Sequence, residues 1–480
     1  MAAEKKSALE KKLTLAPQSC WEIWSSQQQE TALAWAEDYK EFLNQGKTER
    51  LVVKKARKMA EEKGFVDGEE WWQKGKSWTE ADKLYFINRG KNIILVRRGK
   101  KPLEEGARFV LAHIDSPRLD LKLRPLVEEK GLVFFQTHYY GGIKKYQWTA
   151  LPLALYGLVV REDGEEVEIA VGDQPGDPVF MVPDLLPHLA KKQLEKKLKE
   201  VITGEELTLL LGSIPLTKEK EAQEKIKLNL LQLLHQRYGI KEEDFVSADL
   251  EAVPAGQARD LGWDQSLIAA YGQDDRICAY SALQALLELK EPQYTAIVIL
   301  TEKEETGSRS NTGITSLFWY DVFSRLLARE ERGEKENLEL RVRAALRRSE
   351  AISADVTAGF DPQHKDAFDE KNSAFLGYGI ALEKYTGHGG KYSTNEAHAE
   401  YMARIRRIFN QAQVPWQPAK LGKIDQGGGG TVAMFLAQYN MDIVDAGPAL
   451  LNMHAPFEIS SKADLYATFL AYRAFFEAAD

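Results

Sequence analysis

The chain has 480 residues, of which 44% are hydrophobic and 28% are charged, a composition typical of folded globular proteins. A chain of this length is expected to form two domains rather than one core. Its 64 basic and 72 acidic residues give a formal net charge of −8, which argues against nucleic acid or an anionic membrane as a partner.

The N-terminal sequence and the cysteine count bear on the expected cellular location and on which side chains could bind a metal. The opening sequence MAAEKKSALEKK has no apolar core of the kind a signal peptide needs. The sequence contains no run of about 18 apolar residues, the length that a membrane-spanning helix needs. The two cysteines, Cys20 and Cys278, are too few for a disulfide framework or a four-thiolate zinc site. We therefore expect a cytoplasmic protein in which histidines and carboxylates would hold any metal.

The first block of the chain mixes helical and strand patterns. Apolar residues at helical spacing predict helices over 28–43 and 50–62. Alternating residues predict a hairpin over 84–98. The apolar run 107–112 is typical of a buried strand, and it leads directly into His113.

The pattern changes between residues 119 and 261. The segment 156–171 is hairpin-like, and strongly charged stretches at 190–200 and 218–240 have helical character. The Lys/Glu runs in these stretches are interpreted as solvated helix faces. Because strands and helices do not alternate here, we predict a smaller, β-rich domain inserted at 119–261.

Strand–helix alternation returns after residue 261. The predicted elements are a helix after Asp275, strands at 294–300, 351–355 and 441–444, and helices at 314–329, 396–409 and 462–478. This alternation predicts an α/β fold. We expect residues 1–118 and 262–480 to form one discontinuous catalytic domain, a three-layer α/β/α sandwich with a mixed but largely parallel central sheet.

Potential catalytic and metal-binding side chains follow the predicted strands, where ligands gather in such sheets. His113 and Asp115 are two residues apart, so on an extended segment both face the same way, and Asp115 could orient His113. Glu304 and Glu305 directly follow another strand. Because adjacent side chains point in different directions, one could bind a metal while the other acts as a general base.

Three further candidates lie elsewhere in the same block. Asp274 and its neighbour Asp275 precede an apolar helical run, Asp355 ends the segment SAD, and His454 lies in LLNMHAPFE. Each candidate has an ordinary structural explanation, such as a helix cap, a solvated turn or a buried structural histidine. Together, two histidines, two aspartates and two glutamates are the ligands and base that two zinc-class ions need. We predict that Asp274 bridges two metal ions.

Several stretches resemble the aspartyl aminopeptidase/vacuolar aminopeptidase I family of dinuclear metallo-exopeptidases. The matching stretches are AHIDSPRLDLK, YGQDDRICAYSAL, TEKEETGS, SADVTAGFDP, GGKYSTNEAH and NMHAPFE. They run from about residue 109 to 458, so the resemblance covers most of the chain. It implies a metal-dependent aminopeptidase that hydrolyses the N-terminal residue from peptides.

The resemblance also assigns roles within the site. The implied metal ligands are His113 and Asp355 for one ion, Glu305 and His454 for the other, and Asp274 for both. Glu304 would be the general base for a metal-bridged water. The peptide bond between Asp274 and Asp275 would be cis. The two divalent ions are expected to be zinc, with cobalt or manganese as alternatives.

Self-assembly is a further implication of the resemblance. Relatives form dimers that assemble into tetrahedral dodecamers, with the inserted domain as the dimerisation domain. A histidine from that domain of a neighbouring subunit stabilises the oxyanion, and His188 is the matching residue. The alternative is an ordinary histidine on an amphipathic helix. Ala358 stands where several relatives have a histidine, and no ligand is lost by this difference.

Two loops are candidates for the substrate pocket. Lys391 and Tyr392 resemble a family segment that lines the substrate site. Gly428 and Gly429 lie in QGGGGT, which is either an anion-approaching backbone or a flexible turn. It is not a phosphate loop, because the Lys-Ser/Thr ending is missing. An acid-selective pocket needs a cation such as Lys391, but we expect a broad or apolar preference instead.

Two other functions are compatible with these residues. Related dinuclear hydrolases remove acyl groups from N-acyl amino acids, so a deacylase is the first alternative. An inactive scaffold is the second, and it would require the loss of ligands. None of the six candidate positions is lost.

Overall fold

A computed structural model describes residues 7–78, 82–330 and 337–479. Residues 1–6 lie outside this range. They belong to the N-terminal stretch considered for a signal peptide. Residues 1–6 and 480 are also the two outer ends of the predicted catalytic domain. The helices are α1 (Ala8–Leu13), α2 (Cys20–Ile23), α3 (Ser26–Gln45), α4 (Glu49–Glu62), α5 (Gly68–Gln73), α6 (Lys191–Leu194), α7 (Leu198–Val201), α8 (Lys225–Tyr238), α9 (Gln273–Glu288), α10 (Phe318–Ala328), α11 (Leu338–Arg347), α12 (Ala399–Gln411), α13 (Ala433–Ala437) and α14 (Lys462–Glu477). Among the described residues, no helix is both long and apolar enough to cross a membrane.

The strands pair into one large sheet, a second sheet of six strands and two small ones. They are β1 (Val66–Asp67), β2 (Lys83–Asn88), β3 (Asn92–Arg97), β4 (Ala107–His113), β5 (Arg118–Glu129), β6 (Leu132–Tyr140), β7 (Leu153–Val160), β8 (Glu166–Val171), β9 (Thr208–Gly212), β10 (Ala248–Pro254), β11 (Arg259–Leu261), β12 (Leu267–Ala270), β13 (Thr295–Thr301), β14 (Glu350–Ser353), β15 (Thr357–Ala358), β16 (Ile380–Glu383), β17 (Trp416–Pro418), β18 (Asp442–Gly447), β19 (Ala449–Leu450) and β20 (Glu458–Ser461). The predicted strands of the catalytic block lie within three residues of the observed ends.

The large sheet has the order β1-β2-β3-β13-β4-β14-β18-β16-β17. Its middle strands β13, β4, β14 and β18 are parallel to one another. The strands β3 and β16 run antiparallel to their neighbours β13 and β18. The predicted mixed, largely parallel sheet is therefore confirmed.

Side chains of β4 alternate between the two faces of this sheet. Val110 and Ala112 pack with residues of α3, α4, α9, α12 and α14. Phe109 and Leu111 pack on the other face with residues of α5, α10, α11 and α13. Each fully buried valine, leucine or phenylalanine side chain of this kind contributes about 1.5–3 kcal/mol. The two helical layers confirm the predicted three-layer sandwich.

The second sheet is antiparallel throughout, with the order β8-β7-β10-β5-β6-β9. It is formed by residues between β4 and β12, and it includes the predicted hairpin as β7 and β8. It has its own buried cluster, which includes Phe135, Trp148 and Leu207. The domain limits at 119 and 261 and the dimerisation role remain predictions.

The helical prediction for residues 190–200 is wrong in detail. The structure forms only the four-residue helices α6 and α7 there. Leu194 and Leu198, the two large apolar side chains in this stretch, are 77% and 62% exposed. A short helix without a buried face gains too little from packing to extend. The second charged stretch becomes helical only from Lys225, as α8.

Candidate metal centre

The candidate ligands meet at the carboxyl ends of neighbouring parallel strands. His113 is the last residue of β4, and Glu304 and Glu305 follow β13 after a short turn. Asp355 lies two residues beyond β14. Because β13, β4 and β14 are adjacent and parallel, their carboxyl ends lie at one edge of the sheet.

Asp274 lies between two histidines. Nε2 of His113 is 3.1 Å from Oδ1 of Asp274, and Nε2 of His454 is 3.2 Å from its Oδ2. Oδ1 of Asp355 is 3.8 Å from His113, and Oε1 of Glu305 is 3.4 Å from His454. The side chains therefore form two groups of three that share Asp274, each compact enough for one ion.

The backbone around Asp274 is held on both sides. Its N–H donates to Oε2 of Glu458 (3.0 Å), and its carbonyl accepts from Oγ of Ser116 (2.7 Å). Asp274 has non-helical φ and ψ, and its bond to Asp275 is cis, as predicted. The N-cap of α9 is Gly272, which makes no side-chain cap. The Asp274 carboxylate therefore faces the histidines instead of capping the helix.

Each histidine donates a hydrogen bond from its other ring nitrogen, Nδ1, to a backbone carbonyl. Nδ1 of His113 donates to the carbonyl of Asp115 (3.0 Å), and Nδ1 of His454 donates to that of Gly142 (2.8 Å). These partners place the proton on Nδ1 and leave Nε2 directed at the carboxylates. The predicted orienting role of Asp115 thus has a geometric basis, although its backbone oxygen is closer to His113 than its carboxylate at 3.5 Å.

Glu304 lies beside the two groups without belonging to either. Its Oε2 is 4.0 Å from Nε2 of His113. Burial, with the nearby charges of Asp115 and Asp274, raises the pKa of Glu304 to about 7. Divalent ions nearby would oppose this shift. A carboxyl group that titrates near neutrality can both accept and return a proton.

The chemistry of this cluster fits divalent cations. Oδ1 of Asp274 and Oε1 of Glu305 are buried and accept no hydrogen bond from the part of the chain that the structure describes. Such oxygens are costly to bury unless a cation satisfies them. Histidine nitrogen and carboxylate oxygen are the ligands that zinc-class ions take.

Comparisons with known proteins give the family. A family model described as "Aminopeptidase I zinc metalloprotease (M18)" matches residues 42–476. The chain belongs to this family. It is 50% identical over 457 residues to a protein of Clostridium acetobutylicum named "Probable M18 family aminopeptidase 1", an alignment covering 95% of this chain and 97% of that relative. The predicted family and enzyme class are confirmed: the chain is an M18 aminopeptidase, a zinc metalloprotease hydrolase.

Solved structures agree with this assignment. The crystal structure of the M18 aminopeptidase of Thermotoga maritima has a TM-score of 0.91 at 46% identity, covering 97% of this chain and 100% of that chain. A structure of the mApe1 dodecamer of S. cerevisiae has a TM-score of 0.72 at 19% identity, with 93% and 97% coverage. The second likeness shows the shared fold alone.

Glu458 is a residue of this M18 aminopeptidase that sequence reasoning missed. Its Oε2 accepts from the N–H of Asp274, and its Oε1 accepts from the N–H of His454 at 2.8 Å. One carboxylate thus fixes the backbone of the shared aspartate and of a histidine. Its position four residues after His454, in the matching stretch NMHAPFE, was the available signal.

The predicted pocket residues lie in two loops, and backbone atoms of these loops contact each other. Nζ of Lys391 is 2.8 Å from Oε1 of Glu396, and Tyr392 is 68% exposed. The N–H of Gly387 donates to the carbonyl of Gly429 (2.6 Å). A Cβ on Gly428 would lie 2.0 Å from the carbonyl oxygen of Gly387, so the two loops require glycine at their contact. Within the described ranges, no ion pair joins Lys391 to the metal-binding candidates.

His188 belongs to neither group of three candidate ligands. It is exposed in the short turn Pro187–Leu189, which is a 3₁₀ turn. The alternative interpretation, a histidine on an amphipathic helix, is therefore wrong, because no longer helix forms at this position. The predicted role of His188 at the metal centre of a neighbouring subunit stays a prediction.

We expect Glu458→Gln to lower zinc affinity about 10–100-fold, the usual effect of losing a group that positions a ligand. The glutamine amide would present its own N–H to the N–H of Asp274 or His454, so one backbone segment would lose its acceptor. Chelator competition on the purified protein measures this loss.

Asp464→Asn is the matched control. Asp464 is a buried carboxylate that accepts from the N–H groups of Gly377 and Gly379, both at 2.7 Å. The same replacement there should lower the melting temperature but leave zinc affinity unchanged. Equal losses of zinc affinity in both variants would contradict a specific positioning role for Glu458.

Proposed function

We propose that this M18 aminopeptidase removes the N-terminal residue of peptides with two divalent ions, which we infer to be zinc. The proposed ligands are His113, Asp355, Asp274, Glu305 and His454. The observation that carries the proposal is that each carboxylate oxygen of Asp274 faces a different imidazole nitrogen, at 3.1 and 3.2 Å. When bound, such ions polarise the scissile carbonyl and make water a better nucleophile.

Glu304 is the proposed general base and acid. Both groups of three ligands are complete without it, so its carboxylate is free to handle protons. Glu304 would accept a proton from the attacking water on one carboxylate oxygen and deliver it to the nitrogen of the leaving amine. Its burial supports this role, because a partly desolvated carboxylate holds a proton more readily than one in water.

We propose a broad or apolar preference for the N-terminal residue. The cation best placed by sequence to bind an acidic side chain is Lys391. Its ammonium pairs with Glu396 at 2.8 Å and lies 3.9 Å from the centre of the Tyr385 ring. A cation that is already neutralised attracts a substrate carboxylate less strongly than a free one.

We also propose assembly into dimers and a tetrahedral dodecamer, with residues 119–261 as the dimerisation domain. His188 would reach the metal centre of a neighbouring subunit and stabilise the oxyanion. Its neighbours Leu185, Leu186 and Leu189 are 47%, 49% and 67% exposed. An exposed apolar group of this kind is typical of a surface that a partner covers.

Glu304→Gln should lower kcat about 10²–10⁴-fold, because the variant cannot take the proton from water. It should retain two zinc ions for each chain. Glu305→Gln is the contrasting variant, which should bind one ion fewer because a ligand is lost. Steady-state kinetics and metal analysis by mass spectrometry measure both properties. Near-normal turnover by Glu304→Gln would exclude it as the base.

A panel of aminoacyl amides tests the residue preference. We expect faster hydrolysis of leucine amide than of the aspartic and glutamic acid α-amides, with zinc, cobalt or manganese bound. Lys391→Met should leave this order unchanged, since its ammonium is held by Glu396. Faster cleavage of the acidic members would overturn the proposed preference. An N-acyl amino acid belongs in the same panel, and its preferred cleavage would indicate a deacylase.

Subunit complementation tests the role of His188. His188→Ala should lower kcat about 10²–10³-fold, the usual effect of removing one oxyanion donor. Mixed dimers of His188→Ala and Glu304→Gln subunits should regain activity, because one centre then combines an intact Glu304 with the partner's intact histidine. Absence of recovery, with mixed assembly shown by native mass spectrometry, would refute action across the interface.

A further inference from the structure

The end of strand β6 reaches from the second sheet to the candidate metal centre. The hydroxyl of Tyr140, the last residue of β6, donates to Oδ2 of Asp115 at 2.6 Å. Two residues later, the carbonyl of Gly142 accepts from Nδ1 of His454 at 2.8 Å. The segment 140–142 therefore contacts His454 directly and contacts His113 through Asp115.

The Asp115 carboxylate connects Tyr140 to both groups of ligands. Its Oδ2 also accepts from the N–H of Glu305 (3.3 Å), while its Oδ1 lies 3.5 Å from Nδ1 of His113. Oδ1 of Asp115 has no hydrogen-bond partner among the described residues. The hydrogen bond from Tyr140 is therefore the shortest constraint on the direction of this carboxylate.

The ring of Tyr140 is itself fixed. It is only 7% exposed, and two cations lie near it: the Arg118 guanidinium at 3.9 Å and the Lys303 ammonium at 4.9 Å from the ring centre. A cation over the face of an aromatic ring is attracted by the ring's negative face, and more strongly when the pair is buried. Arg118 begins β5, and Lys303 immediately precedes Glu304. The ring is thus held between the second sheet and the loop that carries the proposed base.

The glycines beside Tyr140 allow the close approach. Gly141 has a φ of 74°, and a Cβ there would lie 3.2 Å from Oε2 of Glu305. A larger residue would be strained and would crowd this carboxylate. Gly142 can then present its carbonyl to Nδ1 of His454.

We propose that Tyr140 and the Gly142 carbonyl are positioning groups of the metal centre, through which the second sheet controls metal affinity. Tyr140 directs Asp115, and hence the turn that carries His113 and the N–H of Glu305. Gly142 directs the ring of His454. This inference rests on the ligand assignment under the proposed function. Groups that orient metal ligands in this way typically change affinity about 10–100-fold.

A tyrosine-to-carboxylate hydrogen bond alone does not establish this role. Tyr156 in the same sheet donates to Oδ2 of Asp173 at the same distance of 2.6 Å. The carboxylate of Asp173 serves other partners: it accepts from the N–H of Gly256 (2.6 Å) and lies 3.7 Å from Nζ of Lys47. The two tyrosines differ in what their carboxylates contact, which makes Tyr156 a matched control.

Tyr140→Phe and Tyr156→Phe, both in the full-length protein, test the proposal. Each removes one hydroxyl from an equal hydrogen bond in one sheet. Tyr140→Phe should weaken the binding of at least one zinc ion 10–100-fold, change the visible spectrum of the cobalt-loaded protein, and regain turnover at excess zinc. Tyr156→Phe should bind zinc as the unaltered protein does. Equal zinc affinity in the two variants would overturn the proposal.

Hydrogen exchange of the unaltered protein gives a second measurement that needs no variant. Zinc addition should slow exchange in residues 113–118, in residues 452–456 and also in residues 139–143 at the end of β6. Protection of the first two segments without the third would refute the coupling to the second sheet. If zinc protects neither of the first two, the ligand assignment itself fails, so the two failures are distinguishable.

Discussion

A single carboxylate has to face two imidazole rings at once, and the rest of the site is arranged around that requirement. The backbone of Asp274 is fixed by Glu458 on one side and by Ser116 on the other, so the side chain has little freedom to turn away. Burying several carboxylates together costs several kcal/mol for each unpaired charge. Proteins accept such a cost where cations repay it, as two divalent ions would between His113 and His454.

The gathering of most candidate site residues at one place could be predicted from sequence, because residues that follow parallel strands obey a simple spatial rule. Residues that follow parallel strands gather at one sheet edge. His113, Glu305 and Asp355 could therefore be expected to lie close together before the fold was known. Glu458 and Tyr140 follow no such rule. They act through hydrogen bonds to a backbone N–H or a distant carboxylate, and such contacts leave no periodic pattern in the sequence.

The fold was predictable to a similar degree and for similar reasons. Buried parallel strands are continuous apolar runs, so β4 and β13 were found to within one residue of each end. The charged stretch at 190–200 looked helical because Lys, Glu and Leu favour helices locally. What decides a helix is the burial of one face, and Leu194 and Leu198 are both largely exposed.

The order of the strands also bears on how the chain folds. Strand β4 lies between β13 and β14 in the central sheet, yet the whole second sheet separates it from β13 along the chain. Strands β5 to β10 can pair among themselves as soon as they have been synthesised, whereas β4 must wait for residues near 300. Distant pairing of this kind slows folding, because loop-closure entropy is lost before the contacts form. During synthesis, the second sheet would therefore be complete while the strand that bears His113 still lacks its parallel neighbours.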